Sequence, residues 1–300
     1  WGTNETNPDT RSPIYRYNYT SSGASDYQSN WMMNRMMVGR NGMRDPRINY
    51  IFYRQVPTTP GNDGAVDEVS LECSVPGYYY PPHYVAYGIY CSLPEGYWGR
   101  DHGYDEGIPP DGFKRTLQGV YPAGGAFDES TFASAGQGDG YGGAGITPVV
   151  LASYMNFLDA EVAVNTGGDP TASTLAGIGN FIDKVDDHIA AVPAIPAATK
   201  DAYLAAFAAE WTAAATLDAK LELWAEEFWV TQRGNGIDAY NSYRRNGYPK
   251  NLQPMLEADP GPFPVSMWYP QNYAANNSNV TQKTALTGRV FWNSNGPAVD

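Results

Sequence analysis

Between Thr147 and Gly247 apolar residues return every three or four positions, a period that only helices buried along one face can use. Thr147-Pro148 predicts an N-cap followed by proline at the first helical position. Leu151, Met155, Leu158 and Val162 then form one stripe, which Gly167 and Gly168 stop. Leu175, Ile178, Ile182, Val185 and Ile189 mark a second helix, and the Pro193 and Pro196 segment breaks the chain. A third, long helix is expected from near Thr199, with Tyr203, Phe207, Trp211, Ala214, Leu217, Leu221, Trp224 and Phe228 on its stripe. The Gly234-Asn235-Gly236 turn ends it. A fourth, shorter helix carries Ile237, Tyr240 and Arg244 and stops at Asn246-Gly247.

Four helices in two antiparallel hairpins predict a mainly α fold of tetratricopeptide-like (TPR-like) helix pairs, an α-α superhelix. No strict repeat of about 34 residues is visible, so the units are TPR-like only. The expected organisation is a single domain over residues 1–300, with a loop-rich region at 1–145, helices at 146–247 and a C-terminal loop segment at 248–300. The first region contributes a short helix at Trp31 to Val38 and a candidate strand at Ile48 to Tyr53. With 32 Gly, 23 Pro and 23 Tyr, long ordered loops and a few short strands are expected. Gly136 to Gly145 superficially looks like a phosphate loop, but no Lys follows and Asp139 sits inside, so it reads as a flexible linker.

The formal charge of −13 excludes nucleic-acid binding through the overall field. No apolar run approaches the roughly 20 residues of a membrane span. The chain starts at Trp1 without Met or signal peptide, and it reads as part of a longer protein. Cys73 and Cys91 are open to two readings, buried free thiols or a disulfide formed in an oxidising compartment, and the disulfide is the expectation.

Three segments, in this order, resemble the SusD/RagB family, its SusD-like subgroup in particular. The first is Asp45-Pro-Arg-Ile48 with the aromatic run Tyr50 to Tyr53. The second is Tyr97-Trp-Gly-Arg-Asp-His-Gly103, then Gly107 to Gly112 and Gly119 to Gly125. The third is Ala239-Tyr-Asn-Ser-Tyr-Arg-Arg-Asn-Gly-Tyr-Pro249, followed by Tyr269-Pro270, Asn276 to Val280 and Arg289 to Trp292. The resemblance implies an outer-membrane lipoprotein on the extracellular face of the cell, working as a lid on a SusC-like, TonB-dependent barrel transporter. It implies capture of an oligosaccharide or peptide for that barrel, without catalysis and without a cofactor. The family's N-terminal part, with its lipid-bearing Cys, has no counterpart here. A structural or assembly subunit with no ligand of its own is the competing expectation.

Candidate binding residues follow from chemistry. Sugar rings stack their C–H faces on flat aromatic surfaces, and tyrosine adds a polar tip at little entropic cost. Tyr78, Tyr79, Tyr80 and Tyr84, between the two cysteines, are the first candidates, with Trp98 and Tyr104 next; Trp268 and Tyr269 are assigned to the core. Asp45, Arg47, Arg100, Asp101, His102 and Asp111 are read as structural, tying down loops. Arg244 and Arg245 close the fourth helix, one of them paired with a carboxylate on a neighbouring helix. His188 is expected in solvent. No catalytic residue and no metal site is assigned, because neither a defensible acid pair nor metal-ligand spacing is present.

Overall fold

The computed structural model describes residues 1–60, 79–85, 90–104, 110–259 and 261–293. Its chain is mainly helical, with helix pairs, long ordered loops and four two-residue strands among the described residues. In the first half come α1 (Pro13–Asn18), β1 (Gln28–Ser29), α2 (Asn30–Val38), α3 (Ile48–Ile51), β2 (Phe52–Tyr53), α4 (Pro82–Val85), β3 (Gly99–Arg100) and β4 (Leu117–Gln118). Strand β1 pairs with β3 in parallel, and β2 pairs with β4 antiparallel, so residues far apart in sequence meet as clasps rather than as a sheet. Ser29 caps α2 by accepting from the Met32 amide, and the helix stops at Gly39 (φ +62°). A Cβ at Gly39 would stand 1.8 Å from the Met43 carbonyl oxygen, so only glycine fits that turn. The expected strand at Ile48 is instead one helical turn, because Asp45 accepts from the Arg47 amide at 2.9 Å and holds Arg47 in a helical conformation.

The second half holds α5 (Ala152–Asn165), α6 (Thr171–Asp187), α7 (Ala197–Ala213), α8 (Leu217–Thr231), α9 (Gly236–Asn246) and, after a long loop, α10 (Gln271–Asn276). Helices α5 and α6 form the closest pair, and α8 packs across both. Three sequence expectations change here. Helix α5 starts at Ala152 after an extended Leu151, because Thr147 accepts from the Trp1 indole nitrogen instead of capping the helix. Its buried face is Tyr154, Phe157 and Ala160, while Met155 and Val162 face water. Apolar residues are spread round this helix between Asn156, Asp159 and Glu161 rather than gathered on one face, so size decides, and the two large rings bury more apolar area. The expected long third helix is two helices, α7 and α8. Ala214 is extended, and Thr216 starts a new cap by accepting from the Ala219 amide at 3.1 Å.

Among the described residues, four buried clusters make the core. One lies within the helices and combines Tyr154, Phe157, Ile178, Ile182, Phe207, Trp224 and Phe228. Another joins the halves, packing Trp31, Met33, Met36, Ile51 and Phe52 against Phe181, Val185 and Val230. Tyr15, Tyr19 and Leu117 belong to a third, and Tyr84, Cys91, Tyr104 and Leu256 to a fourth. The glycine-rich segment at 136–145 is pinned rather than a free linker: Tyr15 donates to the Asp139 carbonyl at 2.7 Å and Gly143 N–H to Gly124 at 3.0 Å. No described helix is long and apolar enough to cross a membrane.

Candidate functional site

The Asp45-Pro-Arg47 motif lies at the seam between the halves. Arg47 is fully buried and bonds both Asp45 oxygens, at 2.8 and 2.5 Å, and Glu227 at 2.7 Å. Arg40, also buried, reaches Glu226 at 2.6 Å and Glu227 at 2.7 Å. Tyr203 donates to Glu227 at 2.9 Å. Burial by itself would raise the Glu227 carboxyl, but Arg47 and Arg40 outweigh it and hold that group down at about 2. Burial likewise opposes the charge on Arg47, yet Asp45 and Glu227 raise its pKa well above the ordinary guanidinium value. The motif is therefore an ion-pair lock between the α2–α3 loop and helices α7 and α8.

The second motif makes two further ties. Asp101 is buried and accepts from Asn30 at 2.9 Å, from the Tyr90 amide at 3.1 Å, from Gln253 at 3.3 Å and from the Tyr84 hydroxyl. Neighbouring His102 shares a 3.1 Å hydrogen bond with Ser29, and burial lowers its pKa. Asp111 accepts from Tyr27 at 2.8 Å and from Arg115 at 2.6 Å. Arg100 and Arg115 both lie over the Tyr27 ring, 4.3 and 4.0 Å from its centre. These carboxylates are committed to loop closure. Among the described residues, no three His, Cys, Asp or Glu side chains stand together as metal ligands.

The tyrosine-rich candidates separate. Tyr79 is exposed and Tyr80 half-buried, its ring stacked 6.3 Å from that of Tyr84. Tyr84 and Trp98 are buried, at 0% and 1% exposure, and Tyr104 at 5%. A ring with no exposed face offers a ligand nothing to stack on, so these three are core residues rather than contact residues. Burial drives the Tyr84 hydroxyl far above the ordinary phenol range, and Asp101 adds to it. Tyr78 and Cys73 lie outside the described residues; Cys91 is buried beside Tyr84. His188 is not in solvent: its ring meets Tyr121 edge-on and its Nε2 bonds the Val120 carbonyl at 3.1 Å.

The open aromatic surface is elsewhere, in the C-terminal segment. Arg245 pairs with Glu161 on α5 through two bonds of 2.8 and 2.7 Å, fixing α9 against the helices. Arg244 bonds the Val265 carbonyl at 3.3 Å, and its own carbonyl accepts from Asn293 at 3.1 Å. Phe263 packs on Tyr240 and Tyr243. Those ties hold a long loop that folds back on itself: the Val265 and Ser266 amides both donate to Leu286, and the Gln282 amide group closes on Tyr269 from both sides. Met267, Trp268, Tyr269, Tyr273 and Phe291 stand exposed on it, Phe291 at 85%. Tyr269 meets Tyr273 edge-on at 6.0 Å, and Lys283 Nζ lies 5.1 Å over the Tyr269 ring. A cavity of about 720 Å³ opens here, lined by Tyr269, Lys283, Arg289 and Phe291 among others.

Trp268 and Tyr269 are thus surface residues, against expectation. The signal for this was local: Met267 to Asn276 sets three aromatics among Pro, Gln and Asn, and beyond the Tyr269–Tyr273 pair no apolar stripe continues that could be buried.

No family model and no curated protein matches the sequence. A solved structure described as Bacteroidetes AC2a SusD-like is similar at a TM-score of 0.39 and 17% sequence identity, over 58% of this chain and 30% of that one. The chain spans less than a third of that protein's length, and a likeness at this level says nothing about a shared ligand.

Proposed function

We propose that the chain is a non-catalytic binding subunit that captures an oligosaccharide, or a peptide, at the cell surface and passes it to a SusC-like TonB-dependent outer-membrane transporter. The observation that carries the binding reading is the exposed ring group Trp268, Tyr269, Tyr273 and Phe291 beside a cavity that also holds Lys283 and Arg289. Flat rings next to cationic donors suit sugar units, whose C–H faces stack while their hydroxyls accept from the rim. The commitment of Asp101 and Asp111 to buried ties supports a role without acid–base chemistry. The transporter partner, the lipid anchor and the extracellular location rest on the motif resemblance.

Affinity electrophoresis against neutral glucans, mannans and xylans tests the site. At least one glycan retards the protein, and Tyr269→Ala weakens it by about tenfold, as for a central aromatic contact. Retardation by none, or the same retardation in wild type and Tyr269→Ala, removes this surface as a glycan site. A pull-down from native outer membrane tests the partner: near-equal recovery of a TonB-dependent barrel supports the lid role. A second reading, an assembly subunit without its own ligand, is favoured by a different corner. There Val149, Val150 and Ile237 are all strongly exposed, and Asn235 bonds the Val149 carbonyl at 3.3 Å. Recovery of an assembly machine in place of a barrel would select it.

A further inference from the structure

A second cavity, of about 370 Å³, opens beside the α2–α3 loop and shares no lining residue with the aromatic surface. Its polar wall includes Arg44, Arg54, Glu95, Ser130 and Asn49. Arg44 Nη1 bonds Glu95 Oε2 at 2.5 Å, and Arg54 Nη1 lies 3.9 Å from the same oxygen. Both guanidinium groups stand over the Tyr97 ring, 5.5 and 5.0 Å from its centre. Arg44 also donates to the Tyr97 hydroxyl at 2.6 Å. Arg54 is anchored by Asp128 at 2.7 Å and donates to Ser130 Oγ at 2.7 Å. One carboxylate therefore sits between two cations whose own positions are set by other groups.

The backbone around this seat is unusual. Five non-glycine residues with positive φ are found among the described residues, and three of them are here. Glu95 (φ +62°) and Ser130 (φ +60°) line the cavity, and Phe132 (φ +54°) puts its ring 5.0 Å from the Arg54 guanidinium. Residues with a Cβ avoid this region, and they persist in it only where the surroundings impose it. Gly96 secures the Glu95 turn, since a Cβ there would lie 1.8 Å from the Val56 carbonyl oxygen. Glu95 itself has a side chain 50% exposed, so its pairing with Arg44 competes with water and is readily exchanged.

We propose that this cavity is a binding site for a small carboxylate, and that the Glu95 side chain is its resident occupant, displaced when a ligand carboxylate takes its place on Arg44 and Arg54. A planar carboxylate matches the guanidinium fork, and Ser130 and Asn49 on the cavity wall offer the ligand further polar contacts. The carboxylate has two possible carriers, a uronic acid unit of an acidic glycan or the C-terminus of a peptide. The site stands whether or not the aromatic surface binds glycan.

Isothermal titration of the full chain decides it, with trigalacturonic acid against its methyl ester, and an N-acetyl tripeptide against its C-terminal amide. The expected result is that one free acid binds at least about tenfold tighter than its neutral counterpart, the loss of one charge-assisted contact. The arm that shows this names the carrier. Glu95→Gln, which keeps the shape and removes the competing charge, should tighten that acid by a similar factor, and Arg44→Ala should weaken it. Binding of neither acid, equal binding of acid and neutral probe, or no tightening in Glu95→Gln overturns the proposal. If Arg44→Ala fails to fold, the Glu95→Gln and neutral-probe comparisons still decide.

Discussion

Gly177 sits where α6 crosses α5, and a Cβ there would stand 2.7 Å from a Phe157 ring carbon. That ring cannot yield, because it stacks 4.9 Å from Phe228 and meets Trp224 edge-on. Alanine is better than glycine in a helix by about 1 kcal/mol, yet forcing a methyl into a packed contact costs about 1–3 kcal/mol. Gly177→Ala is expected to destabilise by about 1 kcal/mol, read as a lower urea midpoint. Gly236, at the start of α9, has nothing within 4 Å of a built Cβ and no positive φ. Gly236→Ala should stabilise by about 0.5 kcal/mol, through the unfolded chain alone, and so raise the urea midpoint. The sequence places Gly177 inside the second helix and Gly236 in the turn before the fourth; only the atoms that surround each Cβ position make the two substitutions opposite in sign.

Helix ends were legible where a short-range device makes them. Gly167 and Gly247 end α5 and α9 as expected, with φ of +77° and +74°, and Gly234 (φ +89°) lies in the turn after α8. The break between α7 and α8 was legible too, in Thr216 followed by Asp218, but a continuous apolar stripe from Tyr203 to Phe228 masked it. The stripe survives the break because both helices turn their rings toward the same core cluster. Thr216→Ala removes the cap and should cost α8 about 1 kcal/mol. Loss of stability in thermal melts, with helical circular dichroism otherwise retained, is the expected outcome. An unchanged melting temperature would mean that packing, not the cap, positions this end.

Stability of the whole molecule passes through Glu227, which joins both halves. Its carboxyl is held at about 2 against an ordinary 4.5, with burial opposed and outweighed by Arg47 and Arg40. A folded pKa below the unfolded one gives stability that is full above about 4.5 and is lost as pH falls through about 2. The loss is on the order of 3 kcal/mol. Asp26, Asp186 and Glu222 work in the opposite direction, since burial raises each of them. His102 and His188, both lowered by burial, add to the acid loss below the ordinary histidine value of 6.5. The Glu227 share is isolated by comparing wild type with Glu227→Gln in urea at several pH values. Their difference should shrink steadily from about pH 5 to about pH 2; a constant difference would place the acid sensitivity elsewhere.

The sequence by itself determined the mainly α class, the positions of most helix ends and the buried stripe of α6, where Ile178, Ile182 and Val185 all lie in the core. Those features depend on residues within one or two turns of each other, and local composition carries them. Tertiary structure alone decided which face of α5 is buried, because that helix spreads its apolar residues round its circumference and presents no single apolar face. It also decided that Tyr84, Trp98 and Tyr104 are core while Trp268 and Tyr269 face solvent, since an aromatic residue has the same letter in either place. The partners of Asp45 and Arg47 were equally hidden: Glu227 lies 180 residues from Arg47 in the chain. An ion pair at that separation leaves no periodicity or spacing to read, and its strength comes from burial that exists only after the two halves have met.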